Sequence, residues 1–209
     1  MTTTVEIIRE GFPHLSIDKQ PGLPTYTIIS EVHKELKTNV SSVHSNLGGG
    51  QHGLLGLTLQ DSTYTTLTGV LFILPTNPGT VPIIPAGSSG PQISQSEHAH
   101  KEEIREWQET TRTDQALQQQ LLSVFDEEYL WGLSNMYMGY VGLSTNIILQ
   151  HLYDNYEIIT TVDIENNDTI MKADYDTSQP IEFLFCQIET SVEFGETRHR
   201  PYDPKQVVS

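Results

Sequence analysis

Cysteine is almost missing from this 209-residue chain, where Cys186 stands alone. One thiol cannot form an internal disulfide framework or a cysteine-based zinc site. Positive charge is scarce too: 11 Lys and Arg face 27 Asp and Glu, for a formal net charge of −16. Nucleic-acid affinity comes mainly from Lys and Arg displacing counterions, so this balance argues against autonomous nucleic-acid binding. The same repulsion disfavours an anionic membrane surface. No apolar run approaches the ~18 residues of a membrane span. The start, MTTTVEIIREGFPHL, has no basic stretch followed by an apolar one, and it is not read as a secretory signal. Aromatics are few, at 8%, but the composition is not that of a disordered chain. The length allows one large domain or two small ones.

What is there is mostly helical periodicity. Residues 1–24 hold Gly11, Pro13, Pro21, Gly22 and Pro24 and read as an arm with one short strand at Val5–Ile8. From Tyr26, apolar residues recur every three or four positions (Ile29, Val32, Leu36, Val40, Val43), which predicts an amphipathic helix to about His44. Leu54–Leu59 reads as a buried strand or an extended connector. Asp61 opens a short helix. Residues 69–92 carry five prolines, at 75, 78, 82, 85 and 91, and predict an extended strap. A polar helix follows over Ile93–Thr111, its stripe placed on Ala99, Glu103, Ile104 and Trp107. A separate helix starts at Thr113, with Leu117, Leu121 and Phe125 on one side. Further helices are expected after Asp126, after Ser144 as a cap and, more weakly, after Asp163. A strong one follows Pro180, since proline costs nothing at a first helical position, and ends at Gly195. Asp203-Pro204 repeats that start signal near the end of the chain. The predicted core of the larger part is Ile29, Val32, Leu36, Val40, Leu117, Leu121, Leu122, Phe125, Leu130, Ile148 and Leu152.

Residues that could carry chemistry each have a plainer reading. Gly48-Gly49-Gly50-Gln51-His52-Gly53 lacks the Lys-Ser/Thr of a phosphate loop. His98 and Glu102 could share a helix face, whereas His98 and His100 point apart, giving two metal ligands where zinc needs three or four. His14, His33, His44, His151 and His199 read as isolated histidines. Asp126-Glu127-Glu128 reads as helix capping and Cys186 as a small core side chain. No constellation supports an enzyme, and no cofactor, metal or small-molecule substrate is expected. A hydrolase or metal enzyme built on the His98–Glu103 region is the least favoured alternative.

Two blocks carry a resemblance. One is Val43-His44-Ser45-Asn46-Leu47-Gly48-Gly49-Gly50-Gln51-His52-Gly53-Leu54-Leu55-Gly56-Leu57, followed by Tyr64 and the proline-rich segment. The other runs from Trp107 through Ala116–Leu122, Leu149–Tyr156 and Pro180–Val192. In order and spacing they resemble the Gag-like capsid region of copia-type LTR retrotransposons. The resemblance implies a mainly α fold: a capsid-like N-terminal lobe (25–160) after the arm (1–24), a proline-rich strap, and the beginning of a smaller C-terminal lobe (161–209), expected to be incomplete. It implies a structural protein that self-associates into virus-like particles in the cytoplasm. RNA would be handled only by a downstream region. The alternative is a capsid-derived adaptor, retained by a host, that binds proteins and has no enzymatic activity. On the helix after Pro180, the stripe Ile181, Leu184, Phe185, Ile188 and Val192 is expected to pack inward. Phe183 and Phe194 fall together on the opposite side, where they are expected to be exposed or to contact another copy.

Overall fold

The computed structural model describes residues 4–47, 52–85, 87–157, 159 and 161–197. Among them the fold is mainly α. It has eight helices: α1 (Thr4–Glu10), α2 (Tyr26–Ser41), α3 (Asp61–Thr68), α4 (Gly90–Val124), α5 (Glu127–Leu130), α6 (Thr145–Tyr156), α7 (Thr161–Met171) and α8 (Ile181–Thr197). No strand occurs among the described residues; one isolated bridge joins Asn135 and Gly139. Contacts divide the chain into two compact units: Met1–Pro24 with Ile28–Glu157, and Thr25–Thr27 with Ile158–Ser209.

The larger unit is built on the periodicity of α2, α4 and α6. Ile29, Val32, Leu36 and Val40 are buried on one face of α2. Leu117, Leu121 and Phe125 meet them from α4 and its end, with Leu130, Ile148 and Leu152. Leu122 is half-buried at the edge of this core. Buried area alone, at ~25 cal/mol per Å², makes these side chains worth ~1.5–3 kcal/mol each.

The N-terminal segment differs from expectation. Val5–Ile8 lies within helix α1, not a strand. Val5 and Ile8, one helical turn apart, pack on the core while Ile7 faces solvent. Phe12 and Ile17 are themselves core residues. Polar bonds then fasten the segment. The His14 N–H donates to Asn39 Oδ1 at 2.8 Å. Asn39 Nδ2 donates to the His14 carbonyl at 2.9 Å and to Gln120 Oε1 at 3.0 Å. Gln120 Nε2 returns to the His14 carbonyl at 2.8 Å. Asn39 and Gln120 are both buried, and this mutual satisfaction is what lets them be.

α4 replaces two expected helices with one of 35 residues. Thr113 does not cap a new helix. Its hydroxyl donates to the Glu109 carbonyl, and that of Thr110 to the Glu106 carbonyl, each at 2.8 Å. Both hydroxyls are thus satisfied inside the helix. Upstream, Arg105 bridges Glu102 and Glu109, neighbours at helical spacing. The buried line there runs through His100, with Ile104 and Trp107 half-buried, and Ala99 is exposed. The helix also begins earlier than the expected end of the strap. Pro91 lies in its first turn, and the Ser89 N–H donates to Gln92 Oε1 at 2.8 Å.

Leu54–Leu59 is not a strand: a 3₁₀ turn spans Leu55–Leu57, with Leu54 and Leu57 buried. Residues 69–85 and 87–89 carry no helix or strand. In this segment Phe72 is buried, edge-on to Tyr64 with ring centroids 5.2 Å apart. Its ring occupies the space beside Gly56 that a Cβ would need, only 2.2 Å from the ideal position. Leu71, Ile73, Leu74, Val81 and Ile83 are exposed. α6 starts as its sequence predicts: Ser144 Oγ accepts the Ile147 N–H, and the Thr145 N–H donates to Asp114 Oδ1 at 3.0 Å. Burial raises the Asp114 carboxyl above the usual range, against the Thr145 bonds that lower it.

In the smaller unit α7 and α8 pack against each other. Ile164, Leu184, Ile188 and Val192 are half-buried, and polar bonds join the two helices as well. Asn167 Nδ2 donates to the Ser191 carbonyl at 3.3 Å, and Gln187 Nε2 donates to the Ile170 carbonyl at 2.6 Å. α8 continues through Gly195 to Thr197, because a helical glycine weakens the helix by only ~1 kcal/mol relative to alanine. Asp203-Pro204 lies outside the described residues.

Candidate functional site

α8 begins directly after Pro180, and its first turns leave apolar side chains in solvent. Ile181, Phe183 and Phe185 are 47%, 62% and 57% exposed. On α7, Val162 and Ile170 are exposed as well. Of the expected inward stripe, Leu184, Ile188 and Val192 are half-buried, but Ile181 and Phe185 are not covered. Phe183 and Leu184 border a shallow concavity of about 460 Å³ whose rim includes Ile170, Tyr175 and Asp176. Asp176 accepts from the Ser178 hydroxyl at 2.7 Å and from the Ser178 N–H at 2.9 Å. These bonds hold its carboxyl below the usual range, the hydroxyl contributing most.

Phe183 and Phe194 do not share an environment. Phe183 is exposed, whereas Phe194 is only 8% exposed and sets its ring edge-on to Tyr26, with centroids 5.4 Å apart. The expectation that both rings would be open is therefore corrected for Phe194. Helical angle places the two residues on one side, but that side is covered only toward the end of α8, where Ser191, Phe194 and Gly195 are buried. Cys186 is exposed, not a core side chain, since it sits on the uncovered part of the same helix.

The other candidates resolve locally. Gly48–Gly50 and Gln51 lie outside the described residues. Gly53 has φ +47°, and a Cβ there would come within 3.2 Å of the Val43 carbonyl. His98 is exposed and His100 buried, so the two do point apart; Glu102 is engaged by Arg105. Among the described residues no group of three or more His, Cys, Asp or Glu is placed to hold a metal ion. No described helix is long and apolar enough to cross a membrane. His33 ties three elements together: its Nε2 meets the Thr58 carbonyl at 2.8 Å and its Nδ1 the Tyr153 hydroxyl at 3.0 Å. His151 Nε2 meets the Tyr129 carbonyl at 3.1 Å. His199 lies outside the described residues.

A second exposed apolar group escaped the sequence reading. After α5, a 3₁₀ turn over Trp131–Leu133 leads into a tight reversal. Asn135 and Gly139 exchange both backbone hydrogen bonds at 2.8 Å. Asn135 Oδ1 also accepts from the Tyr137 and Met138 N–H groups, at 2.9 and 3.2 Å. The base is held by Gln118, whose Nε2 donates to the Tyr140 and Leu143 carbonyls. On this braced backbone Trp131 is 76% exposed, Met136 83%, Tyr137 88% and Val141 70%. The available signal was Asn135 and Gly139 bracketing Met-Tyr-Met, a turn pair around apolar residues.

Comparisons with protein-family models, with curated proteins and with solved structures return no match to this chain.

Proposed function

We propose that this chain is a self-associating structural protein of the Gag-like capsid kind that its sequence resembles, assembling into virus-like particles in the cytoplasm, with Phe183 at a contact between copies. The observation that supports it is the imbalance in the smaller unit. α7 and α8 bury only part of their apolar residues and leave Ile181, Phe183, Phe185, Val162 and Ile170 in solvent. Large apolar side chains left exposed in such number are a feature of interaction surfaces. The resemblance assigns this lobe a subunit contact. The role assigned to the chain is non-catalytic and uses no cofactor, and RNA would be bound by a separate downstream region. Phe194 is better assigned to holding the smaller unit together, given its ring contact with Tyr26.

Light scattering and electron microscopy over a range of concentration and salt test this reading. A charge of −16 opposes assembly, and salt screens it over ~10 Å at 0.1 M, so association should grow as salt rises. Phe183→Ser should weaken it with an unchanged thermal melt. A chain that stays monomeric at high concentration and salt refutes the proposal. The exposed Trp131–Val141 loop favours a second reading, a host-retained protein-binding adaptor. An isolated intron-bearing gene would support it, and a downstream protease, integrase and reverse transcriptase would support the element.

A further inference from the structure

We propose that the Trp131–Val141 loop, with Glu127 and Glu128 at its base, is a docking surface for a lysine- or arginine-rich segment of a partner protein.

The loop combines exposure with order. A floppy segment would lose conformational entropy on binding. Here the Asn135–Gly139 pair and the two bonds to Asn135 Oδ1 fix the tip, and Gln118 fixes the base. Preorganisation of this kind removes much of the ordering cost of association. The side chains it displays suit an interface: tryptophan and tyrosine dominate binding energy at such surfaces, and methionine adapts to irregular partners.

Charge selects the occupant. The chain has no Lys or Arg between Arg112 and Lys172. Glu127 and Glu128 are exposed, and no Lys or Arg among the described residues pairs with either. The Tyr129 phenol is pushed up chiefly by Glu128, and the Tyr140 phenol by burial and then by Glu127. Both carboxylates are exposed on α5, which runs directly into the turn that begins with Trp131. An anionic bilayer would be repelled, since Lys19, the cation that reaches this turn from the N-terminal segment, is taken up by Asp126 at 2.6 Å. A second copy would bring the same acidic surface to an acidic chain. A cationic segment with apolar side chains satisfies both parts: its ammonium or guanidinium groups reach Glu127 and Glu128 or lie over the Trp131 and Tyr137 rings, while its apolar groups cover Met136 and Val141.

The test is calorimetric titration of the intact chain with a synthetic peptide alternating arginine and leucine. The same peptide with glutamate for arginine is the control. Saturable binding to the first alone is expected, weaker at high salt. Met136→Ser with Tyr137→Ser, and separately Glu127→Gln with Glu128→Gln, should each weaken it about tenfold or more, a loss of about 1.4 kcal/mol per decade. Glu31→Gln with Glu103→Gln removes the same charge from exposed positions elsewhere, and should change affinity less than about twofold. Equal weakening by the two acid pairs would mean general attraction to an acidic chain and would overturn the proposal. So would absence of binding, or a loop double variant that abolishes self-association or vesicle binding and leaves peptide binding intact. Phe183→Ser should leave peptide binding unchanged, so failure of this proposal is distinguishable from failure of the self-association reading.

Discussion

Lowering the pH should destabilise the larger unit through one side chain, His33. Its ring sits between α2, the turn before α3 and α6. Because the Thr58 carbonyl can only accept, Nε2 must carry the proton. Nδ1 is then left to accept from the Tyr153 hydroxyl. The neutral ring is thus fully satisfied in this tautomer, and a second proton would remove the Tyr153 bond. Burial disfavours the cation most, Lys37 one turn away adds repulsion, and the Thr58 carbonyl works in the opposite direction. The outcome is a pKa lowered from 6.5 to about 4. Between those values the unfolded chain binds a proton that the folded one refuses, so stability rises with pH across the window and is lost as pH falls from 6.5 to 4. At ~1.36 kcal/mol per unit, the loss is about 3 kcal/mol. For a unit of this size that is a fall in melting temperature of about 6–12 °C. Both tryptophans, Trp107 and Trp131, lie in the larger unit, so their fluorescence reports its unfolding. Carboxylates titrate in the same range, so the measurement is a difference: wild type against His33→Gln, unfolded in urea at steps from pH 7.5 to 4. The wild-type advantage should shrink by about 3 kcal/mol on acidification. A difference that stays constant with pH, or a His33 titration midpoint above 6 by NMR, would refute the reasoning.

Three other outcomes can be checked by the same melts. Leu121→Asp puts a charge where no solvent reaches, and it should abolish the cooperative transition, a cost above about 4 kcal/mol; a wild-type melt would remove Leu121 from the core. Gly56→Ala drives a methyl into the Phe72 ring and should cost about 1–3 kcal/mol, with Phe72→Ala relieving the clash when the two are combined. Asn39→Ala and Gln120→Ala should be non-additive in a double-mutant cycle, with a coupling of about 0.5–3 kcal/mol, because the two side chains bond each other and share the His14 carbonyl.

Helical periodicity carried the reading as far as hydrophobic contacts decide structure. Ile29, Val32, Leu36 and Val40 repeat at three and four, and all four are buried. Where polar groups decide, the pattern misled. The reading ended one helix at Thr111 and began another at Thr113, yet the Thr110 and Thr113 hydroxyls bond within α4. Asn39 and Gln120 carry no apolar signal, and their pairing across the chain leaves no local mark. Periodicity also gives an angle and not a cover: it placed Phe183 and Phe194 on one side but could not show that Tyr26 closes one of them. The Trp131–Val141 loop was missed because the helical period that guided the reading does not run through it, and what keeps Met136 and Tyr137 outside is a backbone turn set by Asn135.

The His14–Asn39–Gln120 knot also sets an order of events during synthesis. The bond between Gln120 and the His14 carbonyl spans 106 positions. At about 5–20 residues per second, His14 has been made for roughly 5–20 s before Gln120 is added. Through that interval the His14 segment can bond to Asn39 but not to Gln120. Phe12 and Ile17, which end in the core, are exposed to whatever the emerging chain meets. A segment made early is thus fully secured only once Gln120 follows, and anything that holds residues 12–17 in that interval competes with closure of the larger unit.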